Sequence, residues 1–163
     1  MTVKHRTKND LNEATREKII GLLNQNLADA IHLALQAKQA HWNVKGPSFI
    51  SLHELFDKLY DEASEWVDLM AERAVALGGI ADGTLKGVSG RTRLGSYGLD
   101  LVQGKEHLEE LSGSVAAFGQ AVRKAIDAAD EAGDADTADL FTEVSRGADK
   151  MLWFLEAHLQ ADR

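Results

Sequence analysis

The sequence predicts an all-α protein, a four-helix bundle whose middle connection is one long crossover. Three observations carry this. Apolar residues recur every three or four positions through four long stretches, which places them on one face of a helix. The single proline, Pro47, falls between two of those stretches and interrupts none of them. Eight of the 14 glycines lie between Gly78 and Gly104, an interval too long for a tight turn. It can run the length of a bundle and hold a short helix.

Composition narrows the class further. A chain of 163 residues with 44% hydrophobic content is one domain with a sizeable core. The absence of cysteine excludes a disulfide framework, a thiolate metal site and a cysteine nucleophile, and suits a reducing compartment. A net charge of −8 argues against a broadly basic surface, so any DNA contact must come from a local basic segment. The opening residues MTVKHRTKND lack the apolar core of a signal peptide, and no run of about 18 apolar residues follows. A cytoplasmic location with no membrane partner is expected.

Residues 1–11 read as a mobile arm carrying Lys4, Arg6 and Lys8, and residues 12–163 as the bundle domain. The first helix is expected from about Asn12 to Trp42, with Ile20, Leu23, Leu27, Ile31 and Leu35 or Ala34 inward. His41 lies one further step along that stripe, where an isolated histidine reads first as a core side chain bonded to a carbonyl. Gly46-Pro47 ends the segment. The second helix is expected to start near Ser48 or Ser51, where Ser51 and Glu54 fit a capping box, and to run to about Leu77. Phe49, Leu52, Phe56, Leu59, Ala63, Trp66, Met70 and Leu77 form its apolar stripe. The third helix is expected over about Leu101–Ala132 and the fourth over about Asp136–Gln160. Between them seven carboxylates from Asp127 to Glu143 occur with no lysine or arginine. They read as a solvated turn that caps the last helix, or as a rim attracting cations; Asp130, Asp134 and Asp139 are the candidates for the second role.

The second helix carries the chemistry. His53 with Asp57, and Asp68 with Glu72, are each spaced four residues apart, so each pair stacks on one helix face. Asp57 and Asp68 are 11 residues apart, about 16 Å along a helix. No single ion within one chain can bind both pairs. In two antiparallel copies about a two-fold axis, facing residue numbers sum to a constant. That sum is the same for His53 with Glu72 as for Asp57 with Asp68. A symmetric dimer therefore brings His53 and Asp57 of one copy beside the carboxylate pair of the other, twice. Asp68 and Glu72 repel one another without a cation, which costs a few tenths of a kcal/mol. His41 and His53 with the three carboxylates form a hard nitrogen and oxygen set suited to Fe(II), Mn(II) or Zn(II). The chain has no E-x-x-H, the motif of di-iron centres built inside one bundle.

Four segments carry a family resemblance: K-Q-A-H-W-N at 38–43, F-I-S-L-H-E-L-F-D at 49–57, D-L-M-A-E-R-A-V-A-L-G-G at 68–79 and D-K-M-L-W-F-L-E at 149–156. They closely resemble the Dps mini-ferritins (DNA protection during starvation), and the likeness spans about residues 12–160. It implies a ferritin-like bundle assembled as a dodecamer around an iron-storing interior. It also implies ferroxidase sites at two-fold interfaces that oxidise Fe(II) with hydrogen peroxide or, less efficiently, dioxygen. Every ligand position of the family motif is filled, by His41, His53 and Asp57 from one chain and by Asp68 and Glu72 from its partner. Trp42 matches a tryptophan beside the site that acts as an electron donor. Members that bind DNA commonly use lysines on an N-terminal arm, which points to Lys4, Arg6 and Lys8, with Arg91 and Arg93 of the crossover as the other basic segment. The alternative to an iron-storing ferroxidase is a nucleoid-associated architectural protein whose iron chemistry is secondary.

Overall fold

The computed structural model describes residues 4–160; residues 1–3 of the expected arm and 161–163 of the expected bundle domain lie outside the described residues. Five helices follow in order: α1 (Glu13–Asn43), α2 (Phe49–Ala76), α3 (Leu85–Arg91), α4 (Gly104–Glu131) and α5 (Ala135–Leu159). Helices α1 and α2 pair as one hairpin, α4 and α5 as another, and the crossover between Ala76 and Gly104 carries the short α3 against α1. Among the described residues the only extended pairing is an isolated bridge between Lys45 and Gln103. It ties the α1–α2 turn to the end of the crossover through the Lys45 N–H and the Val102 carbonyl, 2.9 Å apart. No helix is long and apolar enough to cross a membrane among the described residues.

The expected inward faces meet in one core. Ile20, Leu23 and Leu27 of α1, Phe56, Leu59 and Met70 of α2, Leu111 and Phe118 of α4, and Phe141 and Met151 of α5 are all buried. Of the alternatives left open on α1, Ala34 points inward while Leu35 is exposed. Phe49 does not join the core: at the first position of α2 it is exposed and leans on the His53 ring, 5.1 Å between centroids. The capping box expected at Ser51 is also absent. Helix α2 begins one turn earlier at the N-cap Ser48, and the Ser51 hydroxyl donates back to the Ser48 carbonyl instead.

One feature of α1 escapes a periodicity reading. Its side chains Asn24, Gln25, Asn26, Asp29, His32 and Gln36 form a polar stripe that holds the crossover. Asn24 brackets residues 80–82, donating to the Ile80 carbonyl and accepting from the Asp82 N–H. Gln25 donates to the Arg91 carbonyl and Gln36 to the Gly95 carbonyl. Buried Asp29 accepts from the Arg93 N–H at 2.7 Å and from its guanidinium at 2.5 and 2.8 Å. A crossover with little regular structure thereby satisfies main-chain groups that would otherwise be buried without partners.

At the start of the crossover, the N–H groups of Lys4 and His5 both donate to the Gly78 carbonyl at 3.0 Å. Gly78, at φ 85°, sits in the left-handed region that lets α2 stop there. Arg16 braces the same corner, its guanidinium donating to the Leu11 and Leu77 carbonyls.

Candidate metal centre

The hairpin of α1 and α2 brings the last turn of one helix against the first turns of the other, across the five residues from Val44 to Ser48. The His41 and His53 rings stack there, 3.6 Å between centroids and 20° from parallel. Their bonding is reciprocal: Nδ1 of each ring lies 2.8 Å from the main-chain carbonyl of the other residue. A carbonyl only accepts, so each Nδ1 carries a proton and each neutral ring keeps a bare lone pair on Nε2. That is the tautomer a metal ligand needs, set by the other nitrogen. The His41 carbonyl belongs to the last turn of α1 and lacks an intrahelical partner, so the same bond also finishes the helix.

Asp57 follows His53 by one turn, with Oδ1 3.9 Å from His41 Nδ1. The Lys38 ammonium forms a hydrogen-bonded ion pair with this carboxylate and also sits 4.5 Å over the Tyr60 ring. The Lys38 bond is the main reason that the Asp57 carboxyl is held below the ordinary range; partial burial opposes it, and the Lys38 charge assists. Asp57 is therefore ionised near neutrality and already paired with a cation. Lys38 was not singled out in the sequence. The signal that could have found it is its position one turn before His41 on α1.

Asp68 and Glu72 lie three to four turns further along α2 and are exposed. The structure brings His41, His53 and Asp57 together and leaves Asp68 and Glu72 apart from them. Among the described residues, no three His, Asp or Glu side chains of this one chain converge to hold a metal ion. Trp42, beside His41, is 66% exposed.

The remaining candidates separate by environment. Lys4, Arg6 and Lys8 are exposed on the segment that leads to α1. Arg91 and Arg93 are each committed to a carboxylate, Arg91 to Asp82 at 2.7 Å and Arg93 to Asp29 at 2.5 Å. Asp130 and Asp139 are exposed at the α4–α5 end. Asp134 is not available to a passing ion. It is 2% exposed and caps α5, accepting from the Thr137 N–H at 3.1 Å, the Thr137 hydroxyl at 2.6 Å and the Arg73 guanidinium at 2.8 Å.

Comparison with known proteins gives a consistent picture. A ferritin-like domain model matches residues 20–163. The DNA protection during starvation protein of Agrobacterium fabrum is 50% identical over 156 residues, covering 96% of each chain. Among solved structures, a Dps protein from Bacillus brevis superposes with a TM-score of 0.86 at 32% identity, over 91% of this chain and 99% of that one. DpsC from Streptomyces coelicolor reaches a TM-score of 0.93 at 29% identity, over 100% and 96% of the two chains.

Proposed function

This chain belongs to the Dps family of ferritin-like proteins, and from that premise we propose that it stores iron and protects DNA by oxidising Fe(II) at sites shared between subunits. The observation that carries this reading is the reciprocal bonding of His41 and His53. It leaves two imidazole Nε2 atoms free on rings that neighbour the ionised Asp57, which follows His53 by one helical turn and whose Oδ1 lies 3.9 Å from His41 Nδ1. Such a set is half of a coordination shell. The other half is the pair Asp68 and Glu72, exposed on the same helix and out of reach within one chain. A two-fold axis that sets α2 antiparallel to its copy supplies it, with Asp68 of the partner subunit and Glu72 of the partner subunit closing the site.

Fe(II) is the substrate. A mixed shell of imidazole and carboxylate suits it and leaves positions open. His41 and His53 hold the ion through neutral nitrogens, and the carboxylates offset its charge, more so after oxidation to Fe(III). Each Fe(II) gives one electron; two of them with two protons reduce one hydrogen peroxide to two waters. Consuming both reactants together limits hydroxyl-radical formation near DNA. Lys38 must release Asp57, or share it, when iron arrives. Trp42 stands next to His41 as an electron donor. Storage of the ferric product follows from assembly into a closed cage, a dodecamer in this reading.

DNA association is a second part of the proposal and rests on Lys4, Arg6 and Lys8, which are exposed, while Arg91 and Arg93 are paired. Three cations on one arm bind phosphate weakly, and repetition over an oligomer adds avidity. Anaerobic Fe(II) titration of the purified oligomer, followed optically on adding peroxide, tests the iron reading. Saturable binding and rapid oxidation are expected; oxidation no faster than in protein-free buffer would reject it.

A further inference from the structure

We propose that Tyr97 and His107 form a redox pair in which the Tyr97 phenol gives one electron to a radical oxidant while its proton passes to His107 Nδ1. The two residues lie where the crossover meets α4, outside the candidate metal centre. The phenol oxygen is 2.7 Å from Nδ1, and the rings are 17° from parallel with centroids 6.0 Å apart. That is within the reach a proton acceptor needs.

The surroundings favour this direction of transfer. His107 is 1% exposed and its Nε2 has no hydrogen-bond partner. Burial holds the imidazole below its ordinary range, so the ring rests neutral, able to accept a proton. The Glu106 charge and the Leu101 carbonyl act the opposite way and favour the protonated ring once it forms. Burial and the Glu110 charge raise the Tyr97 phenol well above its ordinary range, so it rests protonated. Removing an electron alone would leave a cation on a largely buried ring, which is costly in an apolar setting. Passing the proton to His107 in the same step keeps the tyrosine neutral and puts the charge where Glu106 and Leu101 favour it.

The other tyrosine of the chain makes the contrast. Tyr60 lies closer in sequence to Asp57, but the Lys38 ammonium over its ring opposes a positive hole. From His107 the Phe56 ring is 6.2 Å away, and Phe56 adjoins Asp57 on α2. The pair therefore meets, through the Phe56 ring, the same helix that carries His53 and Asp57.

The chemistry balances with a hydroxyl radical, or a side-chain radical it generates, as oxidant. The radical takes one electron from Tyr97 and, with a proton from solvent, becomes water. Tyr97 is left as a neutral phenoxyl and His107 as imidazolium. A further Fe(II) returns the electron, becoming Fe(III), and His107 returns the proton. The pair would then drain single-electron oxidants that escape the two-electron reduction of peroxide. This role rests on the proposed function for the source of the oxidant and for the Fe(II) that returns the electron.

The test therefore uses no iron. The metal-free oligomer is oxidised with azide radicals by pulse radiolysis, and radicals are followed optically and by electron paramagnetic resonance after rapid freezing. A tyrosyl signal is expected that survives Tyr60→Phe and is lost in Tyr97→Phe. In His107→Gln it should fall sharply, with oxidation left on tryptophan. In the parent protein its formation should slow in deuterium oxide, a readout that does not depend on the His107 variant folding. A signal that persists in Tyr97→Phe, or that forms without a solvent isotope effect, would overturn the proposal. The outcomes are separable from the iron reading: a Tyr97 radical in a protein that fails to oxidise Fe(II) with peroxide supports the pair and rejects the ferroxidase.

Discussion

Asp134 sits among seven acidic residues, yet its substitution should behave unlike that of its neighbours. Alanine at this position removes the cap of α5, where the side chain accepts from both the N–H and the hydroxyl of Thr137. Loss of such a cap costs about 1 kcal/mol. It also removes a charge-assisted bond from Arg73, which is 16% exposed and keeps only Thr137 at 2.9 Å and the distant Asp136 at 3.9 Å. That adds about 2 kcal/mol. A total of about 3 kcal/mol should lower the melting temperature by roughly 6–12 °C for a chain of this size. The assay is calorimetric unfolding at matched protein concentration, so that parent and variant are compared under the same conditions. Asp134→Asn keeps a capping oxygen and loses the charge, so it should fall between parent and alanine. An alanine variant that melts with the parent would refute the reasoning, and an asparagine variant equal to alanine would remove the capping part of it.

Asp68→Ala combined with Glu72→Ala should abolish rapid iron oxidation while leaving the oligomer assembled, since the change relieves like-charge repulsion; stopped-flow oxidation beside size-exclusion chromatography checks both halves. Asp130→Asn with Asp139→Asn, sparing Asp134, should slow iron uptake more at low salt than at high salt if these exposed carboxylates attract cations to the cage, measured as mineralisation rate at two ionic strengths. Deleting residues 1–10 should remove a weak, salt-dependent gel shift with DNA and leave ferroxidase activity unchanged; an undiminished shift would move the contact elsewhere. His32 and His107 are both held below the ordinary imidazole range, chiefly by burial, with Asp29 opposing in the first case and Glu106 in the second. Their stabilising effect is complete above about pH 6.5 and is lost as pH falls through the lower folded-state values. Urea midpoints should therefore drop between about pH 7.5 and pH 5.5, with a smaller drop in the His32→Gln, His107→Gln double variant.

The sequence announced whatever rests on regular spacing. The four long helices and, Phe49 apart, their inward faces follow from a repeat of three and four, while the crossover follows from its glycines and its length. The pairs on α2 were legible for the same reason, because two residues one turn apart share a face wherever the helix lies. What was not legible depends on partners distant in the chain. Asn24, Asp29 and Gln36 look like ordinary surface positions until residues 80–95 arrive to bond them. His41 invited either a carbonyl-bonded core role or a metal-binding one, and the structure gives its Nδ1 to a carbonyl while leaving Nε2 free. Asp130 and Asp134 are indistinguishable as letters, and it is Arg73, some 60 positions earlier, together with Thr137 that separates a structural carboxylate from an exposed one. Ser51 misled for a more local reason: the helix starts a turn sooner, with the Leu52 N–H donating to the Ser48 carbonyl, which leaves Ser51 inside the first turn.

The polar stripe on α1 has a consequence for the order of folding. Each hairpin, α1 with α2 and α4 with α5, is built from contacts local in sequence and can form early. The crossover cannot, because its anchors exist as one row only after α1 is helical. Asn24, Asp29 and Gln36 then act as marks on a ruler, each claiming one point of residues 80–95 and so fixing where α4 begins. A one-residue slip would strand Asp29 without the Arg93 guanidinium, a buried charge without its partner. The polar bonds thus act with the apolar core in registering the two halves, since a slip would also turn the apolar faces out of their close packing. Native-state hydrogen exchange should find the N–H groups of α1 and α2 opening together and the Arg93 N–H opening before them.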